Sequence, residues 1–126
     1  MLLDTNAISA WAKDDAALLR ALRPDRVWYL PSIALGEYRY GLLKSTQRAE
    51  LETWLERVEA ACTILAPDAE TARIYARLRH ESEQPGIGAI PYHDLWIAAL
   101  AEQHGMQVVS RDRHFDAIPG VRRVGW

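Results

Sequence analysis

The 126-residue sequence predicts an α/β domain in which helices cover both faces of a short parallel sheet. Three observations carry this. Short apolar runs alternate with amphipathic stretches along the whole chain. One helical stretch, Leu95 to Gln103, is apolar on nearly all sides, as a central helix must be. A length of 126 residues with 49% hydrophobic and 25% charged content suits one packed domain, residues 1–126.

The elements follow in order. Met1-Leu2-Leu3 reads as a buried strand because helix-starting residues come next: Asp4, Thr5 and Asn6 all cap well. Ala7 to Lys13 suits a first helix and Ala16 to Leu22 a second, which Arg23-Pro24-Asp25 breaks. Val27-Trp28-Tyr29-Leu30 is β-branched, aromatic and apolar, hence a strand. Pro31 and Ser32 start the next helix, Ile33 to Leu43, with Ser32 as its cap. From Thr46 onward Leu51, Trp54, Leu55, Val58 and Cys62 recur at helical spacing, with Glu52, Glu56, Arg57 and Glu59 between them. Thr63-Ile64-Leu65 is a short strand closed by Pro67-Asp68. Asp68 begins a helix through Ile74 and Tyr75 to Leu78, and Gln84 to Gly88 is a loop. Asp94 opens the central helix and Gly105 ends it. Val108-Val109 is a strand, left by Ser110-Arg111-Asp112, and Pro119-Gly120 precedes a last strand, Val121 to Val124. The sheet thus has about four or five strands.

Composition narrows the function classes. A net charge of −2 argues against a protein coated in positive charge, although a local basic strip can still hold phosphates. No run approaches the roughly 18 apolar residues of a membrane span, and no basic segment precedes an apolar run at the N-terminus. The single cysteine, Cys62, excludes an intramolecular disulfide, and one Cys with 4 His is too sparse for a structural zinc site. A reducing cytoplasm is the expected compartment.

Ligands of a parallel α/β sheet bind beyond the carboxyl ends of its strands. Three acids fall there: Asp4 ends the first strand, Asp94 starts the most buried helix, and Asp112 follows Val108-Val109. A fourth, Glu37, interrupts the apolar stretch Ile33 to Tyr38. Singly, each has an ordinary structural reading: Asp4 and Asp94 as helix caps, Asp112 as a turn residue, Glu37 as an exposed helical position. Together they would repel. At about 5 Å and an effective dielectric of about 20, each carboxylate pair costs about 3 kcal/mol, so such a cluster shares protons or holds a cation. An all-oxygen site suits a hard divalent ion, Mg²⁺ or Mn²⁺, and such ions serve phosphoryl chemistry.

These residues resemble the motifs of one family. Met1-Leu2-Leu3-Asp4-Thr5-Asn6 looks like the start of the PIN-domain ribonucleases. Ser32 to Leu42, around Glu37, resembles their second acidic motif, and Asp94 to Ala101 their third. Ser110 to Phe115, followed by Ile118-Pro119-Gly120-Val121, resembles the fourth. Within the family, the VapC-type toxins of toxin–antitoxin pairs are the most similar subgroup, and the resemblance spans essentially the whole chain. It implies a three-layer α/β/α PIN-like domain and a Mg²⁺- or Mn²⁺-dependent endoribonuclease. Asp4, Glu37, Asp94 and Asp112 would be its catalytic acids, with Asp4, Asp94 and Asp112 as metal ligands. Thr5, Asn6 and Ser110 match the small polar positions that support those acids. The implied partners are an RNA substrate, a VapB-like antitoxin and a second copy of the chain in a homodimer.

Other residues gain weight by position. Arg39, Arg111, Arg113 and His114 are candidates for RNA phosphate contact, while His93 is assigned a structural or surface role. Ile8 and Trp11, one and two helical turns beyond Asp4, and Leu42 and Leu43, beyond Glu37, are candidates for an antitoxin groove, with Trp11 equally able to fold into the core. Two other functions fit the same sequence: a housekeeping PIN nuclease without an antitoxin, and a non-catalytic binding module whose acids only cap and brace helices.

Overall fold

A computed structural model describes residues 1–22 and 27–126. Five short strands, β1 (Leu2–Leu3), β2 (Tyr29–Pro31), β3 (Thr63–Leu65), β4 (Val108–Val109) and β5 (Arg123–Val124), form one sheet in the order β3-β2-β1-β4-β5. Every pairing is parallel. The helices that flank the sheet are α1 (Thr5–Trp11), α2 (Ala16–Ala21), α3 (Ser32–Leu42), α4 (Arg48–Ala61), α5 (Ala69–Ser82) and α6 (Tyr92–Gln103). The α/β class and the parallel sheet are as the alternation predicts.

The core is built by the residues the sequence marks as most apolar. Leu2, Leu3, Leu30, Val108 and Val109 are fully buried in the central strands. Helix α6 is buried from Ile97 through Ala101, which is why its apolar residues go all the way round. Gly105 ends it in a Schellman turn. At φ 64° its N–H donates to Glu102 O at 3.1 Å, and Met106 N–H donates to Ala101 O at 2.8 Å.

Several boundaries differ from expectation. Strand β2 is Tyr29–Pro31, shifted toward Pro31, and Val27 is largely exposed. Pro31 rather than Ser32 is the N-cap of α3, and no side chain caps that helix. Helix α6 begins at Tyr92, so Asp94 lies inside its first turn rather than at its cap. Helix α5 runs past Leu78 to Ser82, and β5 is only the last half of Val121 to Val124. The sequence reading has no counterpart for a 3₁₀ turn, η1 (Arg113–Ala117), anchored by the buried Phe115. Five residues carry too little periodicity to reveal such a turn. The break expected at Arg23-Pro24-Asp25 lies outside the described residues.

The strand order creates the crevice. From β1 the chain moves outward one way, to β2 and β3, and then crosses back to lay β4 on the other side of β1. The carboxyl ends of β1 and β4 therefore flank a switch point, the place where an open parallel sheet binds its ligands.

Candidate active site

Register sets the site. Leu2 pairs with Val108 and Leu3 with Val109, so Asp4 and Ser110 leave their strands side by side. Ser110 Oγ donates to Asp4 Oδ2 at 2.7 Å, and Asn6 Nδ2 donates to the same oxygen at 3.0 Å. The Thr5 amide donates to Asp4 Oδ1 at 2.6 Å. Asp4 thus caps α1 and is also tied to the end of β4, so capping and site construction are one arrangement. Its carboxylate is 3% exposed; burial pushes its pKa above the ordinary value, against the Ser110 and Thr5 hydrogen bonds.

The same small polar residues hold the loop after β4. Asn6 Oδ1 accepts from the Arg111 amide at 3.0 Å, and Ser110 Oγ accepts from the Asp112 amide at 2.9 Å. Asp112 then caps η1, its Oδ1 accepting from the His114 amide at 3.0 Å. Asp4, Asn6, Ser110 and Asp112 form one connected network across more than 100 residues of sequence separation.

Asp94 enters from α6. It is 2% exposed, and burial pushes its pKa up to about 6; His93 opposes the rise, and the charges of Asp4 and Asp112 add to it. Two imidazoles meet this carboxylate. His93 Nε2 lies 3.1 Å from Asp94 Oδ1, and His114 Nδ1 lies 3.4 Å from Asp94 Oδ2. His93 also reaches Glu37, with Nδ1 3.2 Å from Oε1, so it bridges α6 to α3. Glu37 itself is the most open of the four acids, and besides His93 it meets Thr5 Oγ1, which donates to it at 3.4 Å.

All four predicted acids therefore face one region, with Glu37 at its rim. The tightest potential metal group among the described residues is Asp94, Asp112 and His114, whose ligand atoms lie within 4.8 Å of one another. His114 is an RNA-contact candidate in the sequence; the structure puts its Nδ1 2.9 Å from Asp112 Oδ1, among the acids. His93, assigned a surface or structural role, spans two of them. Adjacency to Asp94 was its only sequence signal, and adjacency does not say where a ring points.

The remaining candidates separate. Arg39 is held away by a two-pronged pair with Glu59 on α4, at 2.8 and 2.9 Å. Arg111 pairs with Asp15 at 2.6 Å and stacks its guanidinium on Trp126, 4.7 Å from the ring centroid. Arg113 is exposed at the start of η1.

Of the groove candidates, Ile8 is fully buried and Trp11 packs on Trp28 and Trp54, at centroid distances of 5.5 and 5.7 Å. Ile8 belongs to the core and half-buried Trp11 packs against it: α1 must turn its apolar face inward to cover the sheet. Leu42 is 3% exposed and Leu43 57% exposed. A groove of about 330 Å³ does run between α1 and α3, from Thr5 and Glu37 to Lys13, Leu42 and Leu51. Leu42 belongs to its wall, while Ile8, Trp11 and Leu43 do not line it.

A parallel sheet with acids at its central switch point describes a class of metal-dependent nuclease, and the comparisons agree. Residues 1–121 match the PIN domain family, and the chain belongs to it. Within that family its relatives include proteins named VapC. Ribonuclease VapC5 of Mycobacterium tuberculosis is 35% identical over 126 residues, covering 98% of this chain and 90% of the relative. Toxin FitB of Neisseria gonorrhoeae is 33% identical, covering 89% of this chain and 87% of the relative. In structure, the chain is similar to VapBC2 from Rickettsia felis bound to a promoter DNA fragment. That match has a TM-score of 0.87 and 27% identity, covering 99% of this chain and 97% of that one.

Proposed function

We propose that residues 1–126 form a single-domain, metal-dependent endoribonuclease, the toxin of a type II toxin–antitoxin pair. It hydrolyses RNA phosphodiesters in the cytoplasm. The observation that carries the reading is Asp94 and Asp112 within metal-ligand distance of each other and of His114, with buried Asp4 outside that group but near enough for its charge to push the Asp94 pKa up, and Glu37 at the rim. The donor set fits a divalent ion. Three carboxylates crowded together, two of them with pKa values raised, lack the positive charge that would make the cluster favourable.

Asp4, Asp94 and Asp112 would hold the ion, Mg²⁺ or Mn²⁺, and His114 offers a nitrogen beside them. When bound, such an ion neutralises phosphate charge and acidifies water. The chain's own residues do the rest. Ser110, Asn6 and the Thr5 amide fix the Asp4 carboxylate so that its oxygens do not swing. Glu37 and His93 line the entrance opposite, where an attacking water or a leaving oxygen would pass its proton.

The chain would work with a VapB-like antitoxin, as the VapBC complexes among its structural relatives suggest, and as a homodimer, which the family resemblance implies. The groove between α1 and α3 opens beside Glu37, and a basic antitoxin side chain lying there would form charge-assisted bonds with the acids. The test is sequencing of RNA ends after induced expression, beside Asp4→Asn. Discrete new 5′ ends in the wild type and none in the variant are expected. Identical ends in both would overturn the nuclease reading, and discrete ends from a protein with no adjoining antitoxin gene would favour a housekeeping role.

A further inference from the structure

The acid centre holds two imidazoles, and they are placed differently. His93 lies between carboxylates of two helices: its Nε2 is 3.1 Å from Asp94 Oδ1 and its Nδ1 3.2 Å from Glu37 Oε1. Both of its ring nitrogens are therefore taken by acids. His114 instead presents one nitrogen, Nδ1, to two acids at once, 2.9 Å from Asp112 Oδ1 and 3.4 Å from Asp94 Oδ2. Among the described residues, the ligand atoms that come within 4.8 Å of one another belong to Asp94, Asp112 and His114, and His93 is not in that group.

Local structure fixes this arrangement. Asp112 caps η1 by accepting from the His114 amide at 3.0 Å, and the next residue, Phe115, is fully buried. His114 stands between a cap and an anchor, so its backbone cannot slide along the turn. On the other side, His93 engages Asp94 Oδ1, and Oδ2 is the oxygen that faces His114. A ligating carboxylate held in turn by an outer partner is the usual build of a metal site.

The spacing suits one ion. Octahedral ligands at about 2.1 Å from an ion lie about 3.0 Å from their neighbours and about 4.2 Å from the ligand opposite. The separations of 2.9 and 3.4 Å at His114 Nδ1 are of the first kind. The donors then choose among ions. Mg²⁺ takes oxygen and gives up its water reluctantly. Imidazole nitrogen suits first-row transition ions, whereas carboxylates suit Mn²⁺ as well as Mg²⁺. Two carboxylates and one imidazole therefore fit Mn²⁺ with all three donors and Mg²⁺ with only two.

We propose that His114 Nδ1 joins Asp94 and Asp112 as a metal ligand and makes the site prefer Mn²⁺ to Mg²⁺. The inference rests on the nuclease reading above and names the ion of that same site. The competing role for His114 is an imidazolium that only neutralises the two acids. In that role it would oppose every divalent ion by its charge and discriminate between none.

The test titrates the full chain with Mn²⁺ and with Mg²⁺ by isothermal calorimetry, in the wild type, His114→Ala and His114→Asp. Mn²⁺ should bind the wild type more tightly than Mg²⁺. Loss of an outer partner alone costs about tenfold or more in metal affinity, so His114→Ala should weaken Mn²⁺ by at least that much, and Mg²⁺ far less. His114→Asp makes the set all oxygen and should keep both ions while losing the preference. Pulsed EPR of the Mn²⁺-saturated protein reads the bond itself. A directly bonded nitrogen is expected in the wild type and in His93→Asn, and not in His114→Ala. A ratio of Mn²⁺ to Mg²⁺ affinity that neither His114 variant changes overturns the proposal. So does tighter binding of both ions by His114→Ala, or a nitrogen coupling that survives in it. The nuclease reading stands in each of those cases. A wild type that binds neither ion overturns both.

Discussion

Asp68 and Asp94 stand at the starts of two helices that pack together, α5 and α6, and their energetics are opposite. Asp68 is exposed. Its Oδ1 accepts from the Thr71 amide at 3.1 Å, Thr71 Oγ1 accepts from the Asp68 amide at 2.9 Å, and Gln103 Nε2 donates to both Asp68 oxygens at 3.0 and 3.2 Å. The Thr71 amide, above all, holds its pKa below the ordinary carboxylate value. Asp94 is buried, accepts no backbone cap bond, faces two other carboxylates, and is pushed up to about 6. One acid stabilises the fold it sits in. The other costs stability in the metal-free protein, and a fold keeps such a residue where chemistry needs it.

The largest expected break in this comparison is in activity. Asp94→Asn should lower RNA cleavage by roughly a thousandfold, since an acid that holds the ion accounts for several kcal/mol of transition-state stabilisation. Asp68→Ala should leave cleavage near wild type. A single-turnover assay of both variants measures this, and equal losses would erase the distinction.

The next effect is on stability against pH. The pKa of Asp94 is higher folded than unfolded, so its contribution is fully present below about 3.8 and is lost as pH rises through about 6. The gap corresponds to about 3 kcal/mol at neutral pH, removed in Asp94→Asn. Asp68 runs the other way: its contribution is present above the unfolded value and is lost only as pH falls through its lower folded value. Urea melts of metal-free protein at pH 4 and pH 7 should show Asp94→Asn gaining on the wild type only at the higher pH.

A slightly smaller effect comes from the ion. At about a hundred times its dissociation constant Mg²⁺ should stabilise the wild type by about 2.7 kcal/mol. Asp94→Asn should gain much less, and Asp68→Ala as much as the wild type. Thermal melts with and without Mg²⁺ read this directly. The smallest effect is the cap itself. Asp68→Ala should lower the melting temperature by a few degrees, with Asp68→Asn restoring most of it, because Asn caps about as well as Asp.

How much of this was legible depends on the range of the force involved. Asp68 as a helix start, Gly105 as a helix end and α6 as a buried helix all follow from local rules, and all hold. The four acids were legible because their motifs recur in order, each beside a strand end or helix start. Asp94 is legible as an acid but not as a non-capping one: it resembles a cap in sequence and lies within the first turn of the helix in space. His114 suggests a phosphate contact in sequence and sits among the acids in space. Arg39 suggests the same and is bound to Glu59, twenty residues on, by a contact that local sequence does not reveal.

The sequence by itself determined the alternation of strands and helices, the ends of several helices and which four acids to expect at the sheet's carboxyl edge. These depend on side-chain period and capping chemistry, which act over a few residues. Only the tertiary structure decided which groups meet. The β1–β4 register put Ser110 on Asp4 across 106 residues; the packing of α3 against α6 put His93 between Glu37 and Asp94; and the burial of α1 drew Ile8 into the core and Trp11 against it. Burial, proton affinity and metal fit are properties of the assembled surroundings, and those surroundings come from distant parts of the chain.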